Sequence, residues 1–373
     1  MPERRFAHGL VVGKFYPLHV GHSHLIRSAV RACDRVTVEV IASSVETIPL
    51  ERRAAWLREE HPTVRVVTAL DDTPVDFDSP DAWEAHTAFI AGLLPEPADA
   101  VFTSDPYGDE LARRLGAAWV QVDAGRAVNP VSGTRIRGDL AAHWHELAPA
   151  VRADLATRVV VLGAESTGST TLAEDLAAAL GTLWVPEYGR ELTLTREGGL
   201  DAPWRSDEFE LCVDRQIVLE DDALRRIPVP VLVCDTDVLA TALWHERYVG
   251  TAAPGILARA ATHRPDLYLL TGDEIPFVQD GLRDGEHIRP AMQERFREVL
   301  AAQSVPWVEL HGDRAARVEA ALPLVRRAMA ARAAFAPPLE GDADDVQRAR
   351  ARAAREGAAR ATSSRDQPAP HAP

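Results

Sequence analysis

Twice along this chain a short β-rich run ends in a glycine-led turn and passes at once into a helical pattern. The first instance is Gly9–Val12, followed by Gly13-Lys14-Phe15-Tyr16-Pro17-Leu18-His19-Val20-Gly21-His22. The second is Val159–Leu162, followed by Gly163-Ala164-Glu165-Ser166-Thr167-Gly168-Ser169-Thr170-Thr171. A strand that delivers such a turn to a helix N-terminus makes a place for phosphate. Free backbone N–H groups and the positive end of the helix dipole converge there. In both cases a parallel sheet is the expected support, so the chain should hold two α/β units.

The flanking pattern agrees. Strands are expected at Val36–Ala42, Val64–Leu70, Ala100–Thr103 and Trp119–Val122, with helices at His22–Cys33, Leu50–Glu60, Asp81–Leu94 and Tyr107–Leu115. A helical connector containing Pro149 covers Ala141–Thr157, after which the strand series restarts with Leu183–Pro186, Val229–Cys234 and Leu267–Leu270. The expected division is 1–152, 153–336 and a tail, 337–373, rich in Ala, Arg, Pro and Ser and expected to be disordered. A length of 373 residues suits two folded units.

Composition excludes several classes. No apolar run is long enough for a membrane span, and the N-terminus lacks the pattern of a secretory signal. Cys33, Cys212 and Cys234 are odd in number and far apart, which fits neither a disulfide framework nor a zinc site, and a reducing cytoplasm is expected. A net charge of −15 disfavours general attraction to nucleic acid. Of the 41 basic residues only Lys14 is lysine, a bias that runs through the whole sequence.

The first turn carries chemistry. His19 and His22 are three residues apart and share a face of the starting helix. Gly21 removes a side chain where a phosphate must approach, and Lys14 adds a point charge at the strand end. Further on, Asn129-Pro130-Val131-Ser132-Gly133-Thr134-Arg135-Ile136-Arg137 follows a strand and opens a helix. Ser132 and Thr134 can cap that helix and donate to phosphate, with Arg137 one turn on. Two imidazoles, an ammonium, a guanidinium and two helix starts suit a triphosphate under attack at its α-phosphorus.

The second turn matches the pattern G-x-x-x-x-G-K-[ST] except that Ser169 stands at the lysine position. Its backbone should cradle β- and γ-phosphates while Thr170 reaches Mg²⁺. The missing lysine removes charge from the transferring phosphoryl group, so kinase turnover here is expected to be impaired unless another cation supplies it. Glu187 and Asp235 lie at the carboxyl ends of expected strands, where either could serve as a base, and Asp237 is a further metal candidate. The stretch Asp280–Gly285 with Arg283, and Arg289 beyond it, reads as an arginine-bearing loop able to meet phosphates.

The first two motifs together resemble the nucleotidyltransferase superfamily, whose signatures are GxFxPxHxGH and (I/V)SxTxxR. Class I aminoacyl-tRNA synthetases share the first signature but need a lysine-rich loop that a chain with one lysine cannot supply. Fused to a P-loop unit, the arrangement resembles the NadR-type bifunctional proteins. Thr103-Ser104-Asp105-Pro106-Tyr107-Gly108, Pro186-Glu187-Tyr188, Asp235-Thr236-Asp237 and Phe277-Val278-Gln279-Asp280-Gly281-Leu282-Arg283 also look like that family.

The resemblance covers roughly residues 6–335. It implies a Rossmann-like nucleotidyltransferase fold followed by a P-loop kinase fold. It also implies transfer of an adenylyl group from ATP to nicotinamide mononucleotide, giving NAD and pyrophosphate, and phosphorylation of nicotinamide riboside, with Mg²⁺ accompanying ATP. His19, His22, Lys14, Arg137, Glu187, Asp235 and Arg283 would then be catalytic. Gly13, Phe15, Gly21, Ser132, Thr134, Gly163–Thr171 (Glu165, Ser166, Thr167, Gly168, Ser169 and Thr171 among them) and Arg289 would bind ATP. Thr170 and Asp237 would hold the metal.

The expected partners are these small molecules, with no nucleic acid and no membrane, and a homo-oligomer is compatible with the composition. The sequence starts directly at the transferase strand, without the N-terminal helix-turn-helix that some members carry, so the resemblance does not imply repressor activity. Trp56, Trp83, Trp184 and Trp204 are candidates to face the nicotinamide ring. Two other readings stay open: adenylyl transfer to a different phosphate acceptor, and a second unit that senses nucleotide without catalysis.

Overall fold

In the computed structural model, residues 5–73, 79–199, 202–279, 281 and 286–338 are described. The chain divides into two compact units, Met1–Asp139 with Phe335–Pro373, and Leu140–Ala334. Both are α/β.

The first unit alternates β1 (Phe6–Gly13), α1 (Val20–Ala32), β2 (Cys33–Ala42), α2 (Leu50–Glu60), β3 (Arg65–Leu70), α3 (Pro80–Leu93), β4 (Ala100–Thr103), α4 (Tyr107–Leu115), β5 (Ala118–Gln121) and α5 (Gly133–Gly138). Its strands form one parallel sheet in the order β3-β2-β1-β4-β5. The order reverses between β1 and β4, and a crevice at the carboxyl ends of the strands is expected at such a reversal. The turn after β1 enters it. Leu10 of β1 and Val101 of β4 pack with Trp83, Ile90 and Leu111 of the covering helices.

The second unit runs through α6 (Pro149–Leu155), β6 (Thr157–Leu162), α7 (Ser169–Leu180), β7 (Trp184–Val185), α8 (Tyr188–Thr195), α9 (Ser206–Arg226), β8 (Val231–Asp235), α10 (Val238–Val249), α11 (Pro254–Thr262), β9 (Leu267–Thr271), α12 (Arg289–Ala302), β10 (Trp307–Leu310) and α13 (Arg314–Arg332). Its parallel sheet has the order β10-β9-β6-β8-β7, so β6 and its turn are central. All six residues of β6 are buried, which explains why its Val159–Leu162 stretch is continuously apolar rather than alternating.

Three expectations need adjustment. The boundary falls at Asp139/Leu140 rather than 152/153, because the connector belongs to the second unit: α6 packs on α9, and the Trp144 indole donates to the Ile227 carbonyl at 2.9 Å. The strand expected at Leu183–Pro186 is only two residues long. Edge strand β10 is not evident from sequence; three half-buried residues and one buried one, pairing on one side, carry little periodic signal. Of the expected tail, all but Pro337 and Pro338 lies outside the described residues.

Candidate active sites in the two units

In the first unit His19 is the N-cap of α1, and its Nδ1 accepts the His22 backbone N–H at 3.4 Å. The two imidazoles stack with centroids 3.7 Å apart, and Phe15 lies 4.9 Å from His22. Loss of water lowers both imidazoles well below the usual histidine range, His22 to about 3, and the nearby Arg126 guanidinium lowers both further. At neutral pH both are therefore uncharged hydrogen-bonding groups. Arg126 also reaches Asp105, within the Thr103–Gly108 stretch, at 3.3 Å. Arg126 has no sequence signature of its own.

A Cβ at Gly21 would come 3.1 Å from the His19 ring. The missing side chain thus makes room for the His19 imidazole and for Val131, which that Cβ would approach to 3.3 Å. Lys14 lies 3.3 Å from Glu46, which also pairs with the buried Arg53 at 2.5 Å. The second signature comes to the same place. Ser132 caps α5 by accepting the Arg135 N–H at 3.3 Å, Arg137 reaches Thr134 Oγ1 at 3.4 Å, and its Nη1 donates to the Tyr16 carbonyl at 2.6 Å. Gly13 ends β1 beneath this cluster. Residues more than a hundred positions apart are thereby joined in one cationic, donor-rich mouth.

The depressed imidazoles carry a pH consequence. An unfolded histidine takes up its proton near about 6.5 while these two resist it, so their contribution to stability is lost as pH falls below about 6.5. In an NMR titration of the ligand-free protein, the His19 and His22 ring signals should keep their neutral positions from about pH 8 to about pH 5. A midpoint in that interval would contradict the burial described.

In the second unit a cavity of about 600 Å³ is lined by the turn after β6, by Glu187, Arg190, Asp235 and Arg247, and by Trp204, Phe209, Trp244 and Tyr248. Gly163, Glu165, Ser166, Gly168, Ser169, Thr170 and Thr171 all face it. Thr167 does not: its hydroxyl donates to the Ala164 carbonyl at 2.7 Å and accepts from Thr271 at 2.7 Å, so it shapes the turn. Ser166 Oγ accepts the Val278 N–H at 2.8 Å.

Asp235 ends β8, directly beside β6. Burial raises its carboxyl, while the hydroxyls of Thr170 and Ser169 oppose that shift. Its Oδ2 is buried with no partner among the described residues. Asp237 is different. It is the N-cap of α10, its Oδ1 accepts the Ala240 N–H at 2.9 Å, and its Oδ2 accepts the Tyr268 hydroxyl at 2.7 Å. Both oxygens of Asp237 are thus committed to the fold, whereas Asp235 Oδ2 is not. Glu187, the N-cap of α8, is pushed up to about 7 by loss of water and by Asp235, with Arg190 opposing.

Arg283 lies outside the described residues. Arg289 opens α12 and is buried, its Nε and one Nη without partners among the described residues, while His287 and Ile288 form the cavity wall there. Of the four candidate tryptophans, Trp204 reaches the cavity; Trp56 and Trp83 are buried in the first unit and Trp184 packs on the core of the second. Trp244 and Tyr248 escape sequence reasoning, because one helical turn of α10 with two aromatics reads as ordinary core.

Residues 158–317 match the family described as AAA domain. The trifunctional NAD biosynthesis/regulator protein NadR of Escherichia coli (strain K12) is 27% identical over 335 residues, 83% of this chain and 80% of that protein. NadR of Salmonella typhimurium (strain LT2) is likewise 27% identical over 334 residues, with the same coverage. Along most of its length the chain is similar to NadR. A crystal structure of NadR in complex with NR superposes with a TM-score of 0.65 at 20% identity, over 87% of this chain and 96% of that one. A second NadR structure, in complex with NAD and AMP-PNP, gives 0.63 at 22% identity with the same coverage. NadR thus shares the two-sheet fold. No described helix is long and apolar enough to cross a membrane.

Proposed function

We propose that the first unit transfers the adenylyl group of ATP to nicotinamide mononucleotide, giving NAD and pyrophosphate, and that the second phosphorylates nicotinamide riboside. The observation that carries the reading is the packing of the second signature on the first: Arg137 donates to the Tyr16 carbonyl, and Val131 lies against Gly21 beside the stacked His19 and His22. Likeness to proteins named for NAD biosynthesis, and to a NadR structure in complex with NAD and AMP-PNP, supports this acceptor.

In the first unit the mononucleotide phosphate attacks the α-phosphorus in line, so no protein nucleophile is needed. The imidazoles donate to oxygens whose charge grows in the transition state. Arg137, Ser132, Thr134 and Lys14 hold the leaving pyrophosphate. In the second unit the turn after β6 holds the ATP phosphates through backbone N–H groups. Thr170 and Asp235 fit Mg²⁺: a hydroxyl and an orphaned carboxylate oxygen are hard donors, and one or two carboxylates with phosphate oxygens are its usual set. When bound, Mg²⁺ neutralises phosphate charge. Glu187, poised near neutrality, takes the proton of the 5′-hydroxyl. Arg190, facing the same acids, supplies a cation that Ser169 lacks.

The riboside ring is a pyridinium, and Trp204, Phe209, Trp244 and Tyr248 offer aromatic faces to a cation. Trp204→Ala should raise the riboside KM roughly tenfold, since such contacts are worth ~0.5–2 kcal/mol, and leave the KM for ATP unchanged. Equal shifts in both would remove Trp204 from the ring site.

The test of the whole reading is one assay: purified protein with ATP and either the mononucleotide or the riboside, products resolved separately. Absence of NAD would overturn the first assignment. ATP binding without riboside-dependent ADP release would make the second unit a nucleotide sensor. The free, buried cysteines support a reducing, cytoplasmic setting.

A further inference from the structure

Tyr16 sits between the two signatures of the first unit, and the chemistry proposed above gives it no task. Its side chain is only 2% exposed. The Arg137 guanidinium lies 4.7 Å from its ring centroid and that of Arg53 lies 4.3 Å from it. Its carbonyl accepts Arg137 Nη1, an approach that requires Gly133: a Cβ there would stand 2.8 Å from that oxygen. Ring and carbonyl together fix where the Arg137 fork points.

The hydroxyl end is held from elsewhere. Tyr16 Oη accepts the Thr47 N–H at 3.0 Å and donates to the Ala336 carbonyl at 2.9 Å. The Ala336 N–H in turn donates to Thr47 Oγ1 at 2.6 Å, and the Phe335 ring meets Tyr16 edge to face at 6.1 Å. Both backbone groups of Ala336 are therefore committed to residues of the transferase mouth, although they lie about three hundred positions away in sequence.

We propose that Phe335 and Ala336 are positioning residues for adenylyl transfer: they clamp Tyr16 and through it orient Arg137. The inference rests on the reading of Arg137 as the pyrophosphate-holding cation. A tyrosine pinned at both ends presents one ring face and one carbonyl to the guanidinium. Released, it lets the fork drift, and a misplacement of about 1 Å can cost on the order of 10²-fold in rate.

A segment that merely fastened the chain would move stability without acting through Arg137, so a double-mutant cycle separates the two. In the full-length protein, Phe335→Ala should lower kcat/KM for ATP in NAD formation roughly tenfold or more, and weaken inhibition by pyrophosphate in parallel. Phe335→Tyr, which keeps the ring edge, and a chain stopped after Pro338 should match wild type. On an Arg137→Ala background, Phe335→Ala should cost nothing further. Full activity of Phe335→Ala, or an equal loss with and without Arg137, would overturn the clamp. If Arg137→Ala itself keeps wild-type NAD formation, the reading of Arg137 fails first and the clamp falls with it. Should Phe335→Ala not fold, Thr47→Val, which removes only the acceptor of the Ala336 N–H, goes through the same cycle: a loss that vanishes without Arg137 supports the clamp, and full activity or an Arg137-independent loss overturns it.

Discussion

His19→Ala and His22→Ala are each expected to lower NAD formation by a factor on the order of 10²–10³, the usual cost of removing one donor aimed at developing negative charge. The effect should appear in kcat more than in KM for the mononucleotide, because the charge on the α-phosphoryl oxygens grows only toward the transition state. The two losses should not simply add. The rings stack at 3.7 Å and His19 Nδ1 receives the His22 N–H, so removing either disturbs the other. Circular dichroism should show the fold retained, since the sheet core of Leu10 and Val101 does not depend on either imidazole. Near-wild-type NAD synthesis by either variant would remove the first unit's assignment.

Glu187→Gln should lower riboside-dependent ADP release by roughly 10²–10⁴, the range for loss of a positioned general base. ATP affinity should be nearly unchanged, because the proposed phosphate contacts come from the turn after β6 and from Arg190, not from the Glu187 carboxylate. Asp235→Asn should behave differently. With its carboxylate placed against Thr170 and Ser169, its loss should raise the Mg²⁺ concentration needed for half-maximal rate. Equal Mg²⁺ dependence in both variants would mean that the base and the metal ligand have been assigned to the wrong acids. Measuring ADP release across a Mg²⁺ series for the two proteins decides it.

Much of this protein is legible from local sequence. Elements with strong periodicity or long apolar runs, such as α2, α4 and β4, fall on the residues expected, because their burial follows from the chain's own spacing. The two glycine-led turns are also legible, since such a turn between strand and helix is determined over about ten residues. What a residue does once folded is less so. Asp235 and Asp237 are two positions apart and equally acidic in sequence. Only the pairing of β8 with β6 sets one beside Thr170, while the other turns inward to cap α10 and meet Tyr268. Trp204, Trp184, Trp83 and Trp56 are indistinguishable as letters until packing leaves one of them facing a cavity.

The sequence by itself determined the two α/β units and the glycine-led turns that follow β1 and β6, because each is set by contacts within one strand–turn–helix. Tertiary structure alone decided the boundary at Asp139, the positions of Arg126 and Arg190, and the contacts of Phe335 and Ala336 with Tyr16. Those depend on which distant segments the parallel sheets bring to one edge, and no local pattern encodes a partner three hundred residues away.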